Sequence, residues 1–316
     1  MFTSRSSWFD LPAELRERLE GILGSPVVSR QGQTGGFSAG AADRLSLANG
    51  ARVFGKAIHE SVNEGTARLY RKEVAVNRLL PDDVPAPRLR HSFDEDGWIV
   101  LFFDDIDGRQ PELPWRLDDF RAALDAYDAL VESGAGFAGD LPAAEELLRP
   151  DFEGFARLIA DPCDDLDPWI SNHLADLDAL ARASLPTIAG DHLCHVDGRA
   201  DNLLIASDGS SGDRVWLVDW PWAARGSAWL DVVSLAGTAI FQGTQFDVAE
   251  VVEPWVREHG GSKANCTGVW LGMLAYTTDA ARRPPQPGME ALRAFHKRGR
   301  DALLPIVRQR VEHGLV

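Results

Sequence analysis

Between Leu193 and Asp219 the order of polar and apolar residues leaves few ways for the chain to fold. A short apolar lead-in, Leu193 and Cys194, delivers His195 and Asp197 to a turn, and Asn202 follows within side-chain reach of the same small volume. Leu203, Leu204 and Ile205, a polar Gly/Ser/Asp segment over 208–213, and the apolar run 215–218 then predict a hairpin. That hairpin returns Asp219 beside Asn202. The expected product is one aspartate, Asp197, free to accept a proton, next to an asparagine and an aspartate whose oxygens suit a hard divalent ion.

Upstream, the pattern is one of short strands around turn residues. Residues 12–23 carry Leu15, Leu19, Ile22 and Leu23 at helical spacing, with Pro12 suited to a first turn and Gly24 to a stop. Apolar or alternating segments at 27–28 and 44–47 flank a glycine-rich stretch, 33–40. There Gly35 and Gly36 would let backbone N–H groups approach phosphate oxygens without a Cβ in the way. The stretch lacks the Gly-Lys-Ser/Thr end of a Walker A loop and does not open a helix as a dinucleotide fingerprint does. The pair Asn49-Gly50, a hairpin signal, leads into a strand over 52–58 that carries Lys56. Residues 64–80 are predicted helical, and the prolines of 81–87 end that helix. Strands follow at 88–91 and 98–103, with Gly97 in the turn between them, then a hinge at 104–108. Beyond Gly108 the pattern is helical, with predicted helices at 117–133, 143–148, 152–159, 169–183, 246–258, 264–282 and 287–311.

In order and in residue type these features resemble the protein-kinase-like fold, in the branch of small-molecule phosphotransferases that includes the aminoglycoside phosphotransferases. The resemblance is carried by His195, Asp197 and Asn202 in a His-x-Asp-x-x-x-x-Asn loop and by Asp219 on the next hairpin arm. It implies an α+β, bilobal architecture: a small, mainly β nucleotide-binding lobe over 1–104 and a larger, mainly α lobe over 105–316 for catalysis and acceptor binding. It further implies that Asp197 orients and deprotonates an acceptor hydroxyl, with His195 and Arg199 in the same loop, and that Asn202 and Asp219 hold Mg²⁺. Lys56 would bind nucleotide phosphates and pair with Glu73, or with Glu64 as the fallback. Gly35 and Gly36 would cover the phosphates, Phe103 would flank the nucleobase pocket, and backbone groups from Asp104 to Ile106 would read the base of ATP or GTP. The resembled enzymes carry glycine where this chain has Val196, a less permissive residue. Arg199 touches a phosphate or a substrate anion, or is simply solvated. Asp231 accepts hydrogen bonds from the loop around His195, or caps the helix that follows.

The segment after Asp219 is short and has no Ala-Pro-Glu end, so a small molecule is expected as acceptor in place of a peptide. A net charge of −16 argues against nucleic acid or an anionic membrane as partner and is compatible with a cationic acceptor. Cys163, Cys194 and Cys266 lack Cys-x-x-Cys spacing, so neither a disulfide framework nor a zinc site is expected. With no targeting segment and no run long enough to span a bilayer, the expected location is cytoplasmic, with no protein partner implied. The acidic run 161–167 reads either as ligands for substrate amines or as carboxylates favoured at a helix N-terminus. Trp216, Trp220, Trp222 and Trp229 read as stacking faces or as core. The activity expected is transfer of the γ-phosphoryl group of ATP or GTP to a hydroxyl of a small molecule, such as an aminoglycoside or nucleoside antibiotic. The alternatives are a metabolite kinase for choline, a sugar or an amino sugar, and a catalytically inactive nucleotide-binding regulator.

Overall fold

The computed structural model describes residues 6–33, 40–207, 213–284 and 290–316. Helix α1 (Ala13–Leu23) buries Leu15 and Leu19 and ends at Gly24, whose left-handed φ of 69° lets its N–H return to the last turn. An antiparallel sheet follows, built from β1 (Val27–Gly32), β2 (Ala41–Leu47) and β3 (Arg52–His59), then, after α2 (Glu64–Asn77), from β4 (Leu89–Glu95) and β5 (Trp98–Asp104). Its spatial order is β1-β2-β3-β5-β4. β1 runs four residues beyond the apolar pair 27–28, because its exposed half still completes the ladder to β2.

Strand alternation decides where Lys56 goes. Val53 and Ala57 of β3 join the core beneath Trp8, Leu15 and Leu19, whereas Phe54 and Ile58 join the core beneath Ala67 and Tyr70 of α2. Lys56 shares the second face, in register between Ala42 of β2 and Leu101 of β5. α2 begins where the Asn63 side chain accepts the Thr66 N–H at 2.8 Å, and it buries Thr66, Ala67, Tyr70, Glu73 and Val76, a stripe of three- and four-residue steps. Glu73 is therefore carried to the sheet face that holds Lys56.

The rest of the chain is mostly helical: α3 (Leu117–Ser133), α4 (Ala144–Phe152), α5 (Gly154–Ala160), α6 (Pro168–Ser184), then β6 (His192–Cys194), β7 (Leu203–Ser207), β8 (Asp213–Leu217) and β9 (Ala224–Gly226), and finally α7 (Leu230–Gln242), α8 (Val248–Glu258), α9 (Lys263–Arg282) and α10 (Glu290–Glu312). α9 lies at the centre of this part, with Trp270, Leu271, Leu274 and Ala275 fully enclosed. β7 and β8 form the expected hairpin, Leu203 opposite Leu217. β6 and β9 form a second ribbon, His192 opposite Gly226, where the sequence pattern had suggested only a lead-in. Two ties join the segments flanking the sheet to the hairpin. Arg109 exchanges backbone hydrogen bonds of 2.9 and 2.7 Å with Ile205, and the Leu217 N–H reaches the Pro85 carbonyl at 2.7 Å. Among the described residues, no helix is long and apolar enough to cross a membrane.

Candidate active site

The loop between β6 and β7 is held from below by α7. Asp231, in the first turn of α7, is buried, and its two carboxylate oxygens accept the N–H groups of His195 and Val196, each at 2.7 Å. Val196 sits at φ 63°, the left-handed region that β-branched side chains rarely adopt. The expected glycine is thus absent while the conformation it would favour is kept, and the Asp231 carboxylate supplies the restraint. Two turns further along α7, the Thr238 hydroxyl donates to the Gly198 carbonyl at 2.6 Å. A Cβ at Gly198 would lie 3.2 Å from the Leu235 Cα, tight enough that the loop or α7 would have to give by a few tenths of an ångström.

His195 is enclosed. Its Nδ1 accepts the Asp197 N–H at 3.3 Å, which places the ring proton on Nε2, 3.0 Å from the Val218 carbonyl, and the ring packs edge-on against Trp220. Burial pulls the imidazole below its ordinary value and favours the neutral form. With Nδ1 engaged by the Asp197 N–H and Nε2 by the Val218 carbonyl, His195 ties the loop to the arm that carries Asp219 and does not line the pocket.

Asn202 donates through Nδ2 to the Asp197 carbonyl at 2.9 Å and to Asp197 Oδ2 at 2.8 Å, which leaves its amide oxygen on the opposite side of the group. The Val218 N–H bonds to the Asn202 carbonyl at 3.0 Å, so the hairpin sets Asp219 next to Asn202. Burial pushes the Asp197 carboxyl up to about 6, with Arg199 pulling the other way. At that value Asp197 is largely ionised at pH 7, the state in which a carboxylate can accept a proton. Arg199 lies 3.5 Å from Asp197 Oδ1 and donates through Nε and Nη2 to the two oxygens of Asp201, at 3.0 and 2.9 Å.

Across the cleft, Lys56 Nζ lies 2.7 and 2.8 Å from the two Glu73 oxygens and 2.8 Å from Asp219 Oδ1. Glu64 lies in the first turn of α2, and the lysine pairs with Glu73. Burial opposes the lysine charge, but Asp219 and Glu73 outweigh it and raise the ammonium above its ordinary value. Burial pushes Glu73 up to about 7 against the pull of Lys56. Asp219 is held below the usual carboxylate range because Lys56 overcomes the cost of burial. Its side chain keeps 39% of its surface, on the pocket side, and its φ is 69°.

Lys56, Glu73, Asp201, Asn202, Asp219 and Trp220 line a single pocket. Phe103, Asp104 and Ile106 line its other end, together with Arg44, which the sequence reading had not singled out. The Asp104 carboxylate points away, to Arg90, and the Ile106 carbonyl accepts from Arg44 and from the Gly108 N–H. Gly35 and Gly36 lie outside the described residues. Among the described residues, no three His, Cys, Asp or Glu side chains are grouped to hold a metal. The Asn202 and Asp219 oxygens are two hard donors, a set that fits Mg²⁺ carried in with nucleotide phosphates and water.

Asp167 caps α6 through bonds to the N–H groups of Trp169 and Ile170, and Asp161 pairs with Arg282. Trp220 and Trp229 are buried, while Trp222 is half-exposed with Lys72 over its face. Asp201 was missed altogether; the only signal was its position two residues from Arg199.

Over residues 36–261 the sequence matches the phosphotransferase enzyme family. The fold is similar to that of a thermostable mutant of aminoglycoside phosphotransferase APH(4)-Ia in ternary complex with AMP-PNP and hygromycin B, at 14% identity, with 94% of this chain and 98% of that chain covered and a TM-score of 0.61. It is also similar to macrolide 2'-phosphotransferase MphH from Brachybacterium faecium (16% identity, 93% and 99% covered, TM-score 0.54). A choline/ethanolamine kinase family protein from Mesorhizobium loti is a third likeness (18% identity, 92% and 98% covered, TM-score 0.53). No curated protein matches the sequence.

Proposed function

The chain belongs to the phosphotransferase enzyme family and is a nucleotide-dependent small-molecule kinase, and within that activity we propose the residues that carry the transfer and the class of acceptor. The observation behind the proposal is that Lys56, bound to Glu73 and Asp219, faces the Asp197–Asn202 loop across one pocket. ATP or GTP binds between the sheet (within 1–104) and the helical part (105–316). Phe103 packs by the base, and Lys56 lies against the phosphates. The acceptor hydroxyl bonds to Asp197, its oxygen attacks the γ-phosphorus, and its proton passes to the Asp197 carboxylate. The new O–P bond forms as the bond to the β,γ-bridging oxygen breaks, and that electron pair leaves on the nucleoside diphosphate. Asn202 and Asp219 would hold Mg²⁺, which when bound neutralises phosphate charge. His195 and Asp231 keep Asp197 oriented.

The acceptor we infer is an antibiotic of the aminoglycoside or nucleoside type, inactivated by O-phosphorylation. The reading is supported by the antibiotic substrates in the names of the similar structures and by a net charge of −16, which suits a polycation. A metabolite kinase is the second reading, favoured by the likeness to a choline/ethanolamine kinase family protein. Thermal unfolding with Mg-ATP or Mg-GTP, alone and with aminoglycosides, nucleoside antibiotics, macrolides, choline and amino sugars, separates the two, because a ligand of the native state raises Tm. The selected pair is then tested for turnover. Asp197→Asn should lower kcat by about 10²-fold with nucleotide affinity retained. Full turnover in that variant would sink the assignment of the base.

A further inference from the structure

We propose that Asp201 is a positioning residue that holds the Arg199 guanidinium against the site of phosphoryl transfer; the inference rests on the assignment of Asp197 as the base. Asp201 takes the Nε and Nη2 edge of Arg199 in a two-bond fork at 3.0 and 2.9 Å, and the remaining Nη1 lies 3.5 Å from Asp197 Oδ1. A hydroxyl bonded to Asp197 sits about 2.7 Å from that carboxylate. A cation at this distance from Asp197 is therefore within reach of the equatorial oxygens of the phosphoryl group that the hydroxyl attacks. Asp201 also lines the pocket beside Asn202 and Asp219, so the acceptor of the fork stands at the pocket wall while Arg199 reaches from it toward Asp197.

A purely structural role explains little. The two residues are neighbours in one loop, so the fork ties no distant elements together. Asp201 serves geometry instead. Loss of the Asp201 carboxylate removes the acceptor of the Nε and Nη2 edge, and the nearest carboxylate to which that edge can turn is Asp197, whose two oxygens it would then neutralise. With Asp201 in place, a single N–H edge faces Asp197 and the incoming phosphate.

Binding of AMP-PNP and of ADP, each with MgCl₂, to the full chain provides the test, since only the former carries a γ-phosphoryl group. Arg199→Ala should lower the preference for AMP-PNP over ADP by about tenfold, the worth of one charge-assisted bond. Asp201→Ala should lower it nearly as much, and should add nothing in the Arg199→Ala background. Asp201→Asn, which keeps one acceptor oxygen and the shape of the side chain, should fall between and guards against misfolding of the alanine variant. An unchanged preference in both Asp201 variants, or equal losses from Asp201→Ala with and without Arg199, would overturn the proposal while leaving Asp197 as base intact. A wild-type chain that binds neither nucleotide would overturn both.

Discussion

Removing the Asp231 carboxylate should separate the stability of the loop from its geometry. In Asp231→Ala two backbone N–H groups, each bonded at 2.7 Å, lose their acceptor in a buried site. Bonds to a charged group contribute roughly 1.5–3 kcal/mol apiece. Burial raises the Asp231 carboxyl, so part of that gain is offset by the cost of keeping the charge inside. A net loss of about 3 kcal/mol follows, and at about 1.5 °C per kcal/mol for a chain of 316 residues Tm should fall by roughly 4–5 °C. The geometric effect is distinct. Val196 at φ 63° is held about 1–2 kcal/mol above a relaxed conformation, and without Asp231 it relaxes and carries Asp197 away from its working position. That energy corresponds to about a 5- to 30-fold drop in kcat. Glycine adopts this φ without steric cost, so Asp231→Ala/Val196→Gly should regain most of the lost kcat but not the lost Tm. Circular dichroism melts and steady-state kinetics with the selected acceptor read the two effects. If Asp231→Ala kept its kcat, or if glycine at 196 restored nothing, strain at Val196 would not be what Asp231 controls.

Three further outcomes are expected. With the Asp197 carboxyl at about 6, kcat/KM should fall about tenfold from pH 7 to pH 5; the base works only when ionised, and a profile flat over that window would mean its carboxyl has an ordinary value. Lys56→Met removes the ammonium shared by Glu73 and Asp219, a loss of about 3–5 kcal/mol for a broken buried pair. Glu73, already near 7, opposes folding when ionised and ceases to when protonated, so the Tm deficit of this variant should be larger at pH 8 than at pH 6, and an equal deficit would refute the account. Asp167→Ala should lower Tm by about 1.5 °C through loss of the α6 cap, with acceptor KM unchanged. A raised KM at constant Tm would instead return Asp167 to substrate binding.

What the sequence made legible was local and periodic. Asn49-Gly50 and Gly97 mark hairpins whose registers follow from alternation, and the 3.6-residue stripe of α2 brings Glu73, not Glu64, to Lys56. The β7–β8 hairpin returns Asp219 to Asn202 because two five-residue arms paired from Leu203–Leu217 onward allow little else. The hidden parts depend on partners far apart in the chain or on strain. Nothing in His192–Cys194 announces a ribbon with Ala224–Gly226, because three-residue strands have no period to read. For Trp220 the sequence leaves stacking face and core open, and only the fold shows its indole N–H bonded to the Leu217 carbonyl and its ring braced against His195 at the pocket wall.

The two strained non-glycine residues of the site stand at its two functional points. Val196 precedes the proposed base and Asp219 is itself a proposed metal ligand, at φ 63° and 69°. Each is restrained by a charged group from another element: Val196 through its N–H by Asp231 of α7, and Asp219 through its side chain by Lys56 of β3. Such conformations cost of order 1–3 kcal/mol and persist only where the surroundings over-determine them. Both clamps come from parts of the fold with little freedom, the first turn of a buried helix and a central sheet strand. The geometry of Asp197 and Asp219 is thus set mainly before substrate arrives, so substitutions at Asp231 should act on kcat more than on KM, whereas those at Lys56, the proposed phosphate ligand, should act on both.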